Sequence, residues 1–538
     1  MTGKLELQPV AGHPPAADVS RLGEIVPWFT HDAFIHLLAP RGLEQYSGGG
    51  WGTRDVCQGP AELLLSLGQF EPVRDLLLRL YRNQNPDGDW PQWFMCFERE
   101  RSIRPGESHG DIVFWPVLAL ARYLTASEDA GLLDKQIPFF DASGEGHAER
   151  ASLSGHVERA LAAMAERVVA GTRLAAYGHG DWNDSFQPVD PSMRERLCSA
   201  WTVTLQYQTL KALAAALRRV GRTGLCAALD ESANGVRDDF QRLLVGDGVL
   251  PGFAYFHPDG SIERWLHPSD ASTGIRYRLL PMIHAILADL LTPAQARAHV
   301  ALIREHLLGP DGARLFDWPP RYQGGLQQRF QRAESSSFFG REIGIMYTHA
   351  HLRYAEAMAH WGDADALFLA LRQANPIGLR AVVRSARPRQ ANCYTSSSDG
   401  CFADRYEADA HYQDLLAGAV PVECGWRVYS SGAGIAVRLI RECLLGVRQA
   451  RSRLIIDPVL PGSLDGLRAR FELAGRDVEI VYRTGASGCG PTSLALNGRP
   501  LAFEREHNPY RTGGAEVSMD AFSGFLREGR NQLVVELR

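Results

Sequence analysis

The sequence predicts a mainly α-helical protein that ends in a small β domain. Residues 157–170, 205–220, 294–308 and 345–360 carry apolar residues at i, i+3, i+4 and i+7, the spacing of one helix face. Beyond about residue 450, short alternating or β-branched segments are separated by Gly, Pro or Asn, which is typical of strands. The length of 538 residues exceeds one ordinary core, so we expect a large domain and a smaller one.

Three regions follow from these patterns. Residues 1–24 are polar and contain Pro and Gly, which is typical of an extended arm. Helical segments punctuated by Gly, Pro and Asp dominate residues 25–450. Residues 451–538 contain the segments LIIDPVLP, LRARFEL, DVEIVYR, LALNGRPL and NQLVVELR, which predict an antiparallel β module.

The composition argues against several classes of protein. The chain has 57 Lys and Arg against 62 Asp and Glu, a net charge of −5, which does not favour nucleic acid or a membrane surface as partner. No apolar run is long enough to span a membrane, and residues 1–20 lack the apolar core of a signal peptide. None of the nine cysteines forms a C-x-x-C pair, so we expect no metal site and a reducing, cytoplasmic setting.

Common nucleotide and zinc signatures are also absent from the sequence. It has no G-x-x-x-x-G-K-[ST] phosphate loop, no G-x-G-x-x-G turn and no H-E-x-x-H helix. One G-x-S-x-G match, at residues 106–110, follows a charged, Pro-terminated stretch instead of a strand. We interpret that match as chance.

The strongest candidate for chemistry is the loop GDWND at residues 180–184. Asp181, Trp182, Asn183 and Asp184 place two carboxylates, an indole and a carboxamide within four residues. Indoles stack on sugar rings, and a carboxylic acid beside an indole can serve as a general acid. The alternative is that Asp181 and Asn183 form an Asx turn while Trp182 packs inward.

A second candidate is the loop RPGESHGD at residues 104–111, which follows an aromatic stretch containing Trp93. Arg104, His109 and Asp111 suit the binding of hydroxyl groups and anions. The alternative is that Asp111 only caps the helix that follows.

Two further regions suit backbone contacts to a ligand. A glycine-rich turn leads into Arg54 and Asp55, where the backbone can approach a ligand closely, although a tight loop between helices is the default interpretation. His349 and the Ser431-Gly432 turn supply imidazole, hydroxyl and backbone donors for an inorganic anion. Taken alone, His349 is also typical of a buried core histidine.

In this order, these segments resemble glycoside hydrolase family 94, the inverting disaccharide and oligosaccharide phosphorylases. The motifs of that family correspond to residues 47–55, 104–111, 181–184, 342–349 and 431–432. Stretches such as WFTHDAFIHLLAPRGLEQYSGGGWGTRDVCQGP and QRAESSSFFGREIG are most similar to its members that act on β-1,2-glucooligosaccharides.

The resemblance implies an (α/α)6 barrel over residues 25–450, with Asp184 as general acid and phosphate as nucleophile. Phosphate is already an anionic nucleophile, so such an enzyme needs no base to activate water. The implied phosphate ligands are His349, Ser431 and Gly432. The implied substrate-binding residues are Arg54, Asp55, Trp93, Arg104, His109, Asp111, Trp182 and Glu342.

The resemblance also implies partners and surroundings. We expect a β-glucooligosaccharide and inorganic phosphate as co-substrates, no cofactor, a cytoplasmic location and a homodimer. Family members usually carry a β-sandwich region ahead of the barrel, whereas this chain begins almost at the barrel, so only the catalytic and C-terminal parts are expected.

Two other hypotheses remain open at the level of sequence. One is a β-glucan hydrolase or transglycosylase on the same barrel, with Glu334, Glu342 or Asp111 as base or nucleophile. The other is a non-catalytic carbohydrate-binding protein.

Overall fold

Helices dominate the fold up to about residue 445. The computed structural model describes residues 5–9, 15–38, 50–144, 148–246, 248–336, 343, 346–428 and 431–538. Within these ranges, twelve helices have eight residues or more, which confirms the predicted helical domain. They are α1 (Ala16–Leu38), α2 (Gly59–Ser66), α3 (Phe70–Tyr81), α4 (Phe114–Ser127), α5 (Leu153–Glu166), α6 (Ala200–Arg219), α7 (Cys226–Asp239), α8 (Leu279–Leu287), α9 (Pro293–His306), α10 (Thr348–Trp361), α11 (Ala364–Ala374) and α12 (Gly432–Leu439).

The even-numbered helices contact one another in a cycle. Helix α2 contacts α4, and the contacts continue through α6, α8 and α10 to α12, which returns to α2. The odd-numbered helices pack against this cycle: α1 against α12 and α2, α3 against α2 and α4, α5 against α4, α7 against α6, α9 against α8, and α11 against α10.

The burial of the helices follows their apolar pattern. In the outer helix α3, Val73, Leu76, Leu77 and Leu80 are buried on one face, as the 3.6-residue period requires. The inner helix α4 is buried around most of its circumference, in keeping with the apolar sequence FWPVLALARYL. Helices of this second kind need neighbours on every side, so they form the interior of the domain.

Helix boundaries differ from the sequence prediction mainly at the N-terminal region. Helix α1 begins at Ala16, so the expected arm over residues 1–24 is wrong for its last part. Leu22, Val26 and Phe29 form a buried stripe at helical spacing that continues across the predicted boundary. The four segments predicted from periodicity are all helical, with ends shifted by a few residues.

Strands fall into short pieces within the helical domain and longer ones after it. Strands β1 to β13 are Glu6–Gln8, Gly50–Gly52, Trp93–Met95, Gln136–Pro138, Arg150–Ser152, Leu197–Ser199, Phe253–Phe256, Ile262–Trp265, Leu308–Gly309, Gly312–Ala313, Met346–Tyr347, Ser397–Gly400 and Val422–Cys424. Strands β14 to β22 are Val447–Gln449, Arg453–Ile456, Arg468–Leu473, Arg476–Arg483, Pro491–Leu496, Arg499–Pro500, Glu504–Arg505, Ala515–Ser518 and Asn531–Leu537.

The C-terminal strands form two sheets, in the orders β1-β16-β17-β22-β18-β19 and β14-β15-β21-β20. The expectation of a purely antiparallel module is wrong at one pair, because β17 and β22 run parallel. Strand β22 is antiparallel to β18 and inserts beside β17, to which no hairpin connects it. The N-terminal β1 pairs with β16, a contact that its three residues did not predict.

Three of the short strands position the loops at one end of the inner helices. Strand β2 runs directly into the short helix Thr53–Val56, β6 into α6, and β11 into α10. Residues at these junctions therefore lie at the N-terminal ends of helices, where backbone N–H groups lack intrahelical partners. Among the described residues, no helix has the length and apolar character needed to cross a membrane.

Candidate active site

The loop at residues 181–184 turns so that its last carboxylate is the accessible one. The backbone N–H of Asn183 donates to Asp181 Oδ1 at 2.8 Å, and that of Ser185 donates to Asn183 Oδ1 at 3.2 Å. The Asx turn of the alternative interpretation is therefore present, and Trp182 is largely buried. Asp184, however, begins a short 3-10 helix and keeps 29% of its side chain exposed.

Arg54 lies at the centre of a cluster that also contains Asp111, Asp181 and Asp184. Its Nη2 donates to Asp184 Oδ1 at 2.7 Å, while Nη1 donates to the carbonyl of Asp181 at 2.9 Å and lies 3.2 Å from both carboxylate oxygens of Asp111. Burial disfavours the charged guanidinium, but the carboxylates of Asp111 and Asp184 outweigh it and raise the pKa of Arg54 well above its usual value.

Arg54 is placed by the junction between β2 and its helix. Gly52 pairs with Trp93 of β3, and Thr53 Oγ1 donates to the carbonyl of Pro91 at 2.6 Å. The carboxylate of Asp55 folds back over Gly52, where an added Cβ would lie 2.0 Å from Asp55 Oδ2. The junction between β2 and its helix therefore brings the predicted Arg54, Asp55 and Trp93 into one region, whereas residues 47–49 of the glycine-rich turn lie outside the described residues.

Asp111 is buried and binds Arg54 of the Asp184 cluster instead of capping the helix that follows it. Its Oδ2 accepts from Trp115 Nε1 at 2.9 Å, in addition to the contacts from Arg54. Helix α4 begins after Val113 without a side-chain cap, so the capping alternative for Asp111 is wrong. Burial raises the pKa of Asp111, although the charge of Arg54 opposes the rise.

His109 lies between two glutamine side chains beside Asp184. Its Nδ1 is 2.9 Å from the carbonyl of Asp181, which can only accept, so the ring carries a proton on Nδ1. Nε2 lies 3.0 Å from Gln187 Nε2 and accepts there, and the backbone N–H of His109 donates to Gln92. A Cβ at Gly180 would lie 3.3 Å from this ring, so glycine lets the two loops approach.

The predicted phosphate ligands lie at the starts of α10 and α12. The ring of His349 packs edge to face with Trp182, at 5.1 Å between centroids. Burial and the nearby Arg353 lower the pKa of His349 well below its usual value, so the imidazole is neutral near pH 7. Ser431 Oγ donates to the carbonyl of Asp55 at 2.9 Å, which joins the start of α12 to the helix of Arg54.

One predicted substrate residue, Arg104, is not brought into this cluster. The guanidinium of Arg104 lies over the Phe140 ring at 3.6 Å, and its Nη2 donates to Asn83 O and Asn85 Oδ1. Burial lowers the pKa of Arg104 to about 10. Glu342 lies outside the described residues, so its role and that of Arg104 stay predictions.

A polar cavity of about 1020 Å³ lies against the other side of the same loops. Its lining includes Ser108, Gly110, Gly178, His179 and Arg194, but none of the Asp184 cluster described above. The paired backbones of His109 and Gly178 separate this cavity from that cluster.

The sequence did not indicate several residues that build the site. Gln92 and Gln187 hold His109, while Ser199 and Arg278 hold the carboxylate of Asp181. The one available signal was an arginine directly before the apolar segment LLPMIHAIL, because an arginine there must be buried with a partner. Glu334, proposed as an alternative base, accepts backbone N–H groups of residues 328–330 and closes that loop.

Residues 446–533 match the family model of the glycoside phosphorylase C-terminal domain. The chain is 42% identical over 497 residues to 1,2-beta-oligoglucan phosphorylase of Listeria innocua, across 92% of this chain and 45% of that protein. It is 23% identical over 492 residues to the cyclic beta-(1,2)-glucan synthase NdvB of Rhizobium meliloti, across 86% of this chain and 16% of the relative.

A third relative, cellobionic acid phosphorylase of Neurospora crassa, is 22% identical over 433 residues, across 77% of this chain and 49% of the relative. The chain thus spans less than half the length of each of these relatives.

Among solved structures, a family 78 rhamnosidase of Bacillus sp. GL1 matches with a TM-score of 0.53 at 13% identity. That match covers 90% of this chain and 42% of the rhamnosidase, and it bears on the fold alone. The resemblance inferred from the sequence motifs is confirmed at the level of glycoside phosphorylases: 92% of the chain is similar to such an enzyme, and residues 446–533 match a glycoside phosphorylase C-terminal domain.

Proposed function

We propose that this chain carries the site for reversible phosphorolysis of β-1,2-linked glucooligosaccharides, with inversion to α-glucose 1-phosphate. The relative that shares 42% identity is named for a 1,2-beta-oligoglucan substrate and a phosphorylase activity. The observation that carries the proposal is the unequal exposure of three neighbouring carboxylates. Asp111 and Asp181 are fully buried, whereas Asp184 is accessible on the same arginine.

A single accessible carboxylate among Asp111, Asp181 and Asp184 suits phosphorolysis better than hydrolysis. An inverting hydrolase uses a carboxylic acid and a second carboxylate that activates water. Here the carboxylate of Asp111 already accepts hydrogen bonds from Arg54 and Trp115. The carboxylate of Glu334 accepts them from the backbone of its own loop, so neither carboxylate suits the activation of water. Phosphate brings its own negative charge and needs donors in place of a base.

In the proposed reaction, protonated Asp184 donates its proton to the glycosidic oxygen as the C1–O bond breaks. A phosphate oxygen attacks C1 from the opposite face and forms the new bond, so a β-linkage yields the α-phosphate. In the reverse direction, the Asp184 carboxylate accepts the proton of the acceptor hydroxyl. In the forward and the reverse reaction, Arg54 Nη2 orients the carboxylate of Asp184.

The phosphate is bound, in this proposal, between the starts of α10 and α12. The neutral ring of His349 donates one N–H, and the first N–H groups of α12 after Ser431 lack intrahelical acceptors. Gly432 lets the Tyr394 hydroxyl pack against the start of α12, because a Cβ at residue 432 would lie 1.9 Å from Tyr394 Oη. Trp182, packed against His349, joins the phosphate side to the Asp184 loop.

The proposal extends to architecture and setting. The cycle of six inner helices, each packed by an outer helix, supports an (α/α)6 barrel over residues 25–450 followed by a β domain over 451–538. Nine cysteines without disulfides support a reducing, cytoplasmic setting. We further propose a homodimer that needs phosphate but neither cofactor nor metal, and that binds neither nucleic acid nor membranes; light scattering tests the dimer.

The test is incubation with short β-1,2-glucooligosaccharides in the presence and absence of phosphate. Glucose 1-phosphate is measured enzymatically, and free reducing sugar is measured alongside. The proposal expects glucose 1-phosphate only with phosphate. Sugar release at the same rate without phosphate would instead support the hydrolase, and binding without turnover would support the carbohydrate-binding protein.

A further inference from the structure

Asp181 has two faces that bind different partners. Its carboxylate accepts from Arg278 Nη2 at 3.0 Å and from Ser199 Oγ at 2.7 Å. Its backbone carbonyl accepts instead from Arg54 Nη1 and from His109 Nδ1, both at 2.9 Å. The residue therefore lies between a buried arginine on one side and the general-acid cluster on the other.

Arg278 is built into the protein around this contact. Both its side chain and that of Asp181 are fully buried, with 0% exposure each. The guanidinium lies over the Phe253 ring at 4.6 Å and also donates to Ser199 Oγ and to the carbonyl of Gly252. A Cβ at Gly252 would lie 2.6 Å from Leu266 Cβ and 3.1 Å from Arg278 Cδ, so glycine leaves room for both side chains.

We propose that Arg278 is a positioning residue for the acid Asp184. By neutralising and orienting the carboxylate of Asp181, it fixes the direction of the Asp181 carbonyl. That carbonyl orients Arg54, and Arg54 holds Asp184. The inference rests on the proposed function for its catalytic part, but the ordering of the loop is independent of any substrate.

Removing Arg278 has two consequences in this account. The Asp181 carboxylate becomes a buried charge without its cation, and Arg54 is the nearest guanidinium that already contacts this residue. If the carboxylate of Asp181 turns towards Arg54, the hydrogen bond from Arg54 to the carboxylate of Asp184 changes. The chemical step is then affected more than the binding of sugar or phosphate.

The test compares Arg278→Met with a matched buried pair elsewhere in the fold. Arg314 and Asp311 are also almost fully buried, at 0% and 1% exposure, and Arg314 Nη2 donates to Asp311 Oδ1 at 2.6 Å instead of binding the 181–184 loop. Both variants lose a buried cation, so both are expected to melt at a lower temperature than the wild type. Kinetics are measured below the melting temperature of each protein.

We expect Arg278→Met to lower kcat about a hundredfold, with the KM for phosphate nearly unchanged, since small misplacements of catalytic groups cost about this much. The pH profile of kcat should also shift, because the environment of Asp184 changes. Arg314→Met should keep kcat within about threefold of the wild type. Equal kcat values for the two variants would overturn the proposal.

Two further variants keep the test decisive if Arg278→Met folds poorly. Arg278→Lys retains the charge and should lose less activity, and the Asp181→Asn, Arg278→Met double variant, measured beside Asp181→Asn alone, removes both charges together. A double variant that loses as much kcat as the two single losses combined would contradict the proposed coupling.

Hydrogen exchange separates this inference from the proposed function. In Arg278→Met, peptides covering residues 178–187 should exchange faster, whereas in Arg314→Met they should not. A wild type without phosphorolysis would refute the proposed function and leave this readout intact. Unchanged exchange over residues 178–187 would refute the positioning role even in an active enzyme.

Discussion

Arg54 Nη2 lies 2.7 Å from Asp184 Oδ1, while Nη1 of the same guanidinium lies 3.2 Å from both carboxylate oxygens of Asp111. One buried arginine thus binds two carboxylates of different exposure, 29% for the side chain of Asp184 and 0% for that of Asp111. The accessible one can meet a substrate, and the buried one fixes the arginine. This difference in exposure is the reason why Asp184 is proposed as the general acid and Asp111 as the residue that fixes Arg54.

Asp184→Asn keeps the size of the side chain and removes its proton. We expect kcat for phosphorolysis to fall about a thousandfold, within the range that a positioned acid contributes. Steady-state kinetics with a β-1,2-glucooligosaccharide measures the effect. Asp190→Asn, on the exposed surface after the same loop, is the matched control and should behave as wild type. Similar rates for both variants would remove Asp184 from the mechanism.

His349→Ala removes a neutral N–H donor from the proposed phosphate site. We expect the KM for phosphate to rise about tenfold, as the loss of one hydrogen bond to a charged group requires. The KM for the oligosaccharide should change much less. His349→Gln, which keeps a donor, should restore part of the effect. A rise confined to the oligosaccharide KM would move His349 to the sugar site.

Gly432→Ala tests the packing at the start of α12. The added Cβ would lie 1.9 Å from Tyr394 Oη, so the helix start must shift. We expect a loss of about 2 kcal/mol in unfolding free energy, typical of overpacking, and a raised KM for phosphate. Gly462→Ala is the control, because nothing lies within 4 Å of its Cβ. Chemical denaturation measures the first effect, and equal stability of both variants would contradict it.

Stability should decrease as the pH falls below 6.5, because histidines are buried in their neutral form. Burial lowers the pKa of His351 to about 4, and its ring accepts from Ala313 N while it bonds to Ala370 O. The unfolded chain binds this proton first, so the contribution is complete above pH 6.5 and is lost as the pH falls towards 4. The depressed pKa of His351 accounts for a loss of about 3 kcal/mol in unfolding free energy over this pH range.

His351→Gln removes that titration. Urea denaturation between pH 7 and 4 should give a shallower fall in unfolding free energy for this variant than for the wild type. His257→Gln, at a half-exposed ring, is the control and should keep the wild-type slope. The slope is the relevant quantity because His351→Gln also changes the absolute stability. Parallel slopes for His351→Gln and wild type would contradict the assignment.

Local pattern predicted the helices and the C-terminal strands because both depend on neighbours in sequence. The apolar stripe that predicted a helix over residues 205–220 lies within α6 up to Arg219, and DVEIVYR lies within β17. The parallel pairing of β17 with β22 depends on residues more than forty positions apart, so no local pattern indicates it. The pairing of β1 with β16 is longer in range still.

The site divides in the same way. The motif order placed Asp184, Arg54 and Asp111 in one site, and the structure brings these three together. The motif order did not predict that the carboxylate of Asp181 points away from Asp184 and binds Arg278, because the two residues are 97 positions apart in the sequence. Which of two adjacent carboxylates is accessible is decided by such distant packing, and only the fold contains that information.

The most direct test of the central claim is the configuration of the first sugar phosphate released. Proton NMR follows the anomeric signal while the protein acts on a β-1,2-glucooligosaccharide in phosphate buffer. The account predicts α-glucose 1-phosphate from the first turnover, because phosphate attacks opposite the oxygen that Asp184 protonates. Release of the β-anomer, or of glucose without any sugar phosphate, would contradict it.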